Sequence, residues 1–197
     1  MPTFLRWSEP TITFDRTDHP NSVPQPVRYL LIVDLIVDKK WLIEVLMDGS
    51  SSLNILYAET LDAMGIDRSR IRSTRAPFHD IMPAKQAMML GQIDLPITFG
   101  NLTNYRMETL TFEVVGFHMT YHTILRRPCY AKFMAIPNYT YLKLNMPGPQ
   151  GVITMDTSFQ HAYEWEVECY EHAATIIAST KITTIWERTI GEPLDSK

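Results

Sequence analysis

The 197-residue chain is poor in the residues that build disulfide frameworks, nucleotide-binding loops and basic surfaces. Its two cysteines, Cys129 and Cys169, are too few for a disulfide framework or a cysteine-based zinc site, and we expect both to be reduced thiols. The eight glycines include no spacing typical of a nucleotide-binding loop. Asp and Glu total 22 against 18 Lys and Arg, which argues against bulk binding of nucleic acid.

Long hydrophobic runs are also absent from the sequence. The best candidate, residues 30–37, is interrupted by Asp34 and is much shorter than the roughly 18 apolar residues typical of a membrane-spanning helix. The first twenty residues contain acids and prolines and no apolar signal-peptide core. We therefore expect no membrane association and no secretion.

Other common chemistries lack their residue patterns. His118 and His122 are four residues apart, which suits two metal ligands on a helix, but the surrounding sequence predicts a strand and offers no third ligand. The serines at 50–52 lack the G-x-S-x-G pattern of a nucleophilic serine. The sequence therefore predicts no metal site and no cofactor.

The composition is nevertheless that of a folded protein, with 45% hydrophobic residues. Residues 1–27 contain five prolines and predict an extended, poorly ordered tail. The body is predicted over 28–155. Residues 156–197 hold eight acids and three bases, and an apolar stripe within them predicts an amphipathic helix over 159–180.

The body alternates short β-type segments with turns about every eight to twelve residues, a pattern typical of a small all-β barrel or sandwich. Two short helices are predicted, one over 58–64 that ends at Gly65 and one over 127–133 with Pro128 near its start. The predicted strands are 29–37, 41–47, 53–57, 92–99, 105–115, 121–125, 135–145 and 151–155.

Asp48 stands out among the acidic residues by its context. It follows the apolar strand predicted over 42–47 and precedes Gly49 and three serines. A carboxylate on a tight loop of small residues is held rigidly and is reachable by backbone N–H groups. Taken alone, an ordinary Asp-Gly turn is the simpler interpretation.

Four segments place this loop in a wider pattern. They are residues 45–57 (VLMDGSSSLNILY), the helix at 58–65 (AETLDAMG), the stretch 77–85 (PFHDIMPAK) and residues 121–128 (YHTILRRP). In content, order and approximate spacing they resemble the retropepsin-like aspartic protease region of plant gypsy-type LTR retrotransposon polyproteins. The stretch 77–85 stands where that family has its flap, and 121–128 is similar to its Ile-Leu-Gly-Arg motif.

The resemblance implies an all-β fold: a one-lobed, retropepsin-like acid-protease barrel with a short helix, followed by the C-terminal amphipathic helix. It also implies that Asp48 is the catalytic residue and that Gly49, Ser50, Ile81 and Met82 bind substrate. The implied activity is that of an aspartic endopeptidase acting on a polypeptide, the polyprotein, in the cytoplasm or in a retroelement particle.

Aspartic proteolysis needs two carboxylates around one water, and the pair shares a proton because two like charges this close cannot both ionise. The body contains one such loop. The only other aspartate in a similar sequence context is Asp156, and the roughly 40 residues that follow it are too few for a second lobe. We therefore expect a homodimer in which the two Asp48 residues face each other across a two-fold axis.

Five positions depart from the family pattern. Gly49 stands where the family has a hydroxyl that holds the two loops together, and Ser50, Asp80, Ala84 and Arg126 stand where glycines are expected. We expect Ser50 to strain its turn, Arg126 to crowd or pair with Asp48, and activity to be weak or absent. The alternative function is a catalytically inactive retropepsin-like fold that acts only as a dimerisation or interaction module, or is a relic fragment.

Overall fold

The computed structural model describes residues 11–19, 29–73, 89–116, 121–157 and 162–163. Within these ranges most of the chain is β-structure, arranged as one closed barrel and one separate three-stranded sheet. No helix in this part of the chain is both long and apolar enough to cross a membrane.

The barrel has the strand order β1-β2-β6-β3-β5-β4. Its strands are β1 (Ile32–Val37), β2 (Lys40–Met47), β3 (Asn54–Tyr57), β4 (Met89–Gly100), β5 (Tyr105–Val115) and β6 (Thr123–Leu125). The second sheet contains β7 (Ile136–Asn138), β8 (Lys143–Gly148) and β9 (Gly151–Asp156) in that order. The helices are α1 (Ala58–Ala63), α2 (Arg127–Phe133) and a 3₁₀ turn (Arg68–Arg70).

Alternating side chains explain the two longest strands. β4 and β5 pair antiparallel from Met89 opposite Val115 to Gly100 opposite Tyr105. Every second residue of β4 points into the barrel, so that one face of the strand is buried and the other is not. Each buried aliphatic or aromatic side chain contributes about 1.5–3 kcal/mol. The barrel core includes Leu31, Val33, Leu35, Val45, Ile93, Leu95, Ile97, Phe99, Phe112 and Leu125.

A buried arginine joins the barrel to the second sheet. Arg106 on β5 donates to the carbonyls of Phe133 and of Lys132 (3.1 Å) at the end of α2, and to that of Pro147 (3.3 Å) on β8. Its guanidinium also pairs with Glu108 at 3.0 Å. Because the last carbonyls of a helix lack partners within the helix, this side chain satisfies them while fixing α2 against the barrel.

Most predicted elements are present, with boundaries shifted by a few residues. Both helices are confirmed, and Gly65 after α1 has the left-handed φ of +69°. The strand predicted over 135–145 was wrong: β7 ends at Asn138, and β8 begins only after Leu142, whose φ is +52°. The side chain of Asn138 accepts from the N–H groups of Thr140 (3.1 Å) and Tyr141 (3.0 Å), which makes a turn there.

The segment 11–19 lies within the predicted tail and packs on the second sheet. Asp18 pairs with Lys143 at 2.9 Å, and the rings of Phe14 and His19 contact Tyr141 edge-on. The rest of 1–27, the flap stretch 77–85 and the predicted helix over 159–180 lie outside the described residues, except for 162–163. Of these two, Ala162 is buried beside Tyr29 and Leu142. The predicted boundaries at 27 and 155 stay predictions.

Candidate active site

The Asp48 loop leaves β2 and enters β3, and β6 lies between these two strands. β2 pairs parallel with β6, with Met47 opposite Leu125, and β3 pairs antiparallel with β6, with Ile55 opposite Ile124. The Asp48 N–H donates to the carbonyl of Leu125 at 2.8 Å. Both ends of the loop are therefore fixed to the same short strand.

The carboxylate of Asp48 accepts from its own loop and contacts one cation. The Ser50 N–H donates to Oδ1 at 2.9 Å, and the Ser50 hydroxyl donates to Oδ2 at 2.8 Å. Arg126 Nη2 lies 3.5 Å from Oδ2. The Asp48 side chain is 29% exposed and that of Arg126 is 13% exposed, so the acid is open to solvent while the cation is largely covered.

Asn54 holds the junction between β6 and α2. Its buried side chain accepts from the Arg126 N–H at 2.9 Å and donates to the Thr111 carbonyl at 3.0 Å. The Arg127 N–H donates to the Ser51 carbonyl at 3.2 Å. These bonds explain how an arginine is held beside Asp48.

Two phenols lie against the exposed Gly49. A Cβ at this position would stand 3.7 Å from Tyr139 Oη and 4.0 Å from a ring carbon of Tyr130. The two hydroxyl oxygens are 3.4 Å apart. Burial, followed by the bond to Tyr139, raises the pKa of Tyr130, so this phenol stays protonated and can donate. The sequence carries no local signal for this contact, because it depends on how α2 and the β7–β8 turn pack.

The predicted site residues divide into two groups. The loop brings Asp48, Gly49 and Ser50 together, whereas Ile81 and Met82 lie outside the described residues, as do Asp80 and Ala84. The expected contact between Arg126 and Asp48 is present.

The strain expected at Ser50 was wrong. Five described non-glycine residues have positive φ, and Ser50 is not one of them. The backbone at Arg126 is extended, with φ of −125°, so a side chain is accommodated there without strain.

The remaining candidates of the sequence have structural partners. His122 Nδ1 lies 2.8 Å from the Ile43 carbonyl, and His118 is outside the described residues. In the described ranges no three His, Cys, Asp or Glu side chains converge on a possible metal position. Burial raises the pKa of the Cys129 thiol, which disfavours a thiolate. Asp156, the sequence echo of the Asp48 loop, pairs with Lys143 at 3.3 Å on the second sheet.

Comparison with known proteins gives matches in structure and not in sequence. No protein-family model matches the chain, and no curated protein matches it. The retroviral protease-like domain of Ddi1 from Leishmania major superposes with a TM-score of 0.50 at 11% identity, over 65% of this chain and 93% of that one. A retropepsin-like aspartic protease from Rickettsia conorii has a TM-score of 0.45 at 13% identity, over 64% and 85%. The barrel that carries the Asp48 loop therefore has the retropepsin-like fold.

Proposed function

We propose that the chain is an aspartic-type endopeptidase of a retrotransposon polyprotein, similar to those of plant gypsy-type elements. The observation that carries the proposal is the Asp48 loop, which is bound at both ends to β6 within a retropepsin-like barrel. The carboxylate is exposed enough to reach a substrate, and its loop has a defined shape.

The chemistry needs a second carboxylate, and the described surroundings of Asp48 supply none. Its hydrogen-bond and ion-pair partners within the described ranges are Ser50, Leu125 and Arg126. The proposal therefore includes a homodimer in which Asp48 of each subunit faces the other across a two-fold axis. The substrate is a polypeptide bound between the subunits, and Gly49, Ser50, Ile81 and Met82 are its proposed binding residues.

In this arrangement the two carboxylates share one proton and hold one water. The ionised carboxylate removes a proton from the water as its oxygen attacks the peptide carbonyl carbon. The protonated carboxyl gives its proton to the carbonyl oxygen. The tetrahedral gem-diol then collapses: one of its hydroxyls returns a proton to the second carboxylate as the C–N bond breaks, and the leaving nitrogen takes up a proton from the acid that the first step formed. The pair again holds one proton.

One observation favours weak or absent activity. Arg126 Nη2 lies 3.5 Å from Oδ2 of Asp48, so one oxygen of the carboxylate is paired with a cation of its own chain, whereas the mechanism needs both oxygens for the water and the second carboxyl. A retropepsin-like fold that acts only as a dimerisation or interaction module, or persists as a relic fragment, is therefore the second candidate. Either function would be exercised in the cytoplasm or in a retroelement particle.

A cleavage assay at acidic pH on a peptide library, with and without pepstatin, tests the proposal. We expect slow, pepstatin-sensitive cleavage that Asp48→Asn abolishes. Asp62→Asn is the matched control. This exposed acid lies outside the Asp48 loop and pairs with Arg68 at 2.6 Å, so we expect the variant to keep the parent rate. Sedimentation analysis of all three proteins is expected to show a dimer.

The outcomes separate the two candidates. Cleavage that persists in Asp48→Asn would remove the aspartic mechanism. A dimer with no cleavage in any of the three proteins would favour the inactive module. A strictly monomeric protein would contradict both the composite site and the dimerisation module.

A further inference from the structure

The Asp48 loop is anchored at its two ends and not in its middle. The Asp48 N–H is bonded to Leu125 and the Ser51 carbonyl to Arg127. The bonds from Ser50 to the Asp48 carboxylate are internal to the loop. No backbone hydrogen bond within the described residues joins Gly49 to another part of the chain. The peptide that follows Asp48 is therefore free to move unless a side chain packs on it, since glycine adds none of its own.

Among the described residues, and apart from its sequence neighbours Asp48 and Ser50, the side chains within 4 Å of a Cβ at Gly49 are those of two tyrosines. Tyr139 Oη is 3.7 Å away and lies 3.4 Å from the hydroxyl of Tyr130. Tyr130 is held in α2, and Tyr139 follows directly on Asn138, whose side chain closes the β7–β8 turn with two hydrogen bonds. Tyr139 is 48% exposed, so its turn lies at the surface of the protein.

We propose that Tyr139 is a positioning residue for the Asp48 loop. Its hydroxyl, bonded to Tyr130, covers Gly49 from the side of the second sheet and limits movement of the peptide next to the carboxylate. The inference rests on the proposed function for its catalytic consequence, because a shared-proton pair requires both carboxylates to stay within about 0.5 Å of the productive geometry. The second sheet would then contribute to the site by restraining the Asp48 loop, which the barrel strands bind only at its ends.

The test compares two tyrosines of the same turn. Tyr139→Phe removes the hydroxyl that faces Gly49, and Tyr141→Phe makes the same change on a ring that packs against Phe14 and His19. The readout is the backbone amide order parameter of Gly49 and Ser50 from ¹⁵N relaxation of the full chain. In Tyr139→Phe we expect the Gly49 value to fall from about 0.85, typical of rigid backbone, toward about 0.6, and in Tyr141→Phe we expect no change.

A rescue variant separates loop positioning from general loss of structure. A Cβ at Gly49 has only ordinary contacts, so Gly49→Ser fits, and we expect its hydroxyl to take the place of the Tyr139 hydroxyl beside the Tyr130 ring. We expect the double variant Gly49→Ser, Tyr139→Phe to regain the parent order parameter. A Gly49 amide that is equally ordered in the parent, in Tyr139→Phe and in Tyr139→Ala would overturn the proposal.

Relaxation is measured whether or not the protein cleaves peptides, so the two proposals fail separately. If the parent cleaves, we expect kcat of Tyr139→Phe to fall about tenfold, equivalent to about 1.4 kcal/mol in the barrier, with little change in KM. A loop that becomes disordered in Tyr139→Phe, in a parent that shows no Asp48-dependent cleavage, would support the positioning role of Tyr139 and contradict the proposed protease function. Asp48-dependent cleavage by the parent, together with an unchanged loop in Tyr139→Phe, would support the protease function and contradict the positioning role.

Discussion

The carboxylate of Asp48 accepts two hydrogen bonds from its own loop and contacts one cation from another part of the chain. The N–H and hydroxyl of Ser50 belong to the loop and fix the carboxylate relative to it. The guanidinium of Arg126 comes from the junction of β6 and α2 and is 13% exposed. A pair partly sheltered from water keeps more of its Coulomb attraction than one on an open surface. Arg126 therefore competes with the water and the second carboxyl for Oδ2 of Asp48.

Replacing this arginine is expected to raise cleavage. In Arg126→Gln the cation beside Asp48 is lost, while the Arg126 N–H to Asn54 bond of 2.9 Å is a backbone contact and remains. We expect kcat/KM at acidic pH to increase about tenfold, the effect of about 1.4 kcal/mol at the transition state. The measurement is peptide cleavage across the acid range.

Arg72→Gln is the control for this change. Arg72 pairs with Asp94 at 2.6 Å on the barrel surface, so the same substitution removes the same charge away from the loop. We expect its kcat/KM to equal that of the parent. Unchanged or lower cleavage in Arg126→Gln would show that the arginine does not oppose catalysis.

At the scale of the elements, the β1–β2 hairpin contains local strain. Val37 pairs with Lys40, so Asp38 and Lys39 form a two-residue turn, and their φ values are +45° and +68°. This is the conformation of a type I′ turn, in which glycine is favoured at the second position. We expect Lys39→Gly to raise the free energy of unfolding by about 1 kcal/mol, measured by urea denaturation.

The neighbouring lysine gives the opposite result. Lys40 is the first residue of β2, where glycine weakens a strand by about 0.5–1 kcal/mol. Lys40→Gly is therefore expected to lower the free energy of unfolding. Equal effects of the two substitutions would contradict the left-handed assignment at Lys39.

The elements that the sequence predicted best are those with a local signal. β4 and β5 alternate buried and open side chains, and α2 has Pro128 in its first turn. The break between β7 and β8 could not be predicted from hydrophobicity, because Leu142 is fully buried and yet has a positive φ. Closure of the barrel could not be predicted from any local pattern either, because it joins strands that are far apart in the sequence. Asn54 on β3, for example, pairs parallel with Phe112 on β5.

The same distinction applies to the candidate site. Asp48 stood out by its position between an apolar strand and a loop of small residues, but the resemblance of four segments, and not this position alone, made it the candidate catalytic residue. The contact with Arg126 followed from the resemblance of two distant segments and is present. The pair Tyr130 and Tyr139 carried no signal, because a helix and a turn of the second sheet must pack together before the hydroxyls meet Gly49.

At the scale of the whole molecule, an ion pair, a hydrogen bond and ring packing attach the segment 11–19 to the second sheet. Asp18 accepts from Lys143 at 2.9 Å, and the Asn145 side chain donates to the Thr13 carbonyl at 3.4 Å. The ring of Phe14 packs edge-on against Tyr141, with centroids 6.3 Å apart. Because both partners of the ion pair titrate, attachment of the segment is expected to depend on pH.

The sign of this dependence follows from the two partners. The Asp15 N–H and then Lys143 lower the pKa of Asp18 below its ordinary value of 3.8, so its contribution is present above that value and is lost as the pH falls through the lowered one. The bond to Asp18 raises the pKa of Lys143 above 10.5, so its contribution is present below that value and is lost as the pH rises through the raised one. The segment should be held best between these limits.

We therefore expect the nuclear Overhauser contacts between Phe14 and Tyr141 to persist at neutral pH and to fade as the pH is lowered through the acid range below 3.8. Lys143→Met should weaken them already at neutral pH, since the Asp18 carboxylate then lacks its cation. Lys132→Met removes the same charge from α2, where the contact with Arg106 uses only the Lys132 carbonyl, and should behave as the parent. Contacts that survive in Lys143→Met at neutral pH as strongly as in the parent would show that ring packing, and not the ion pair, holds residues 11–19 on the second sheet.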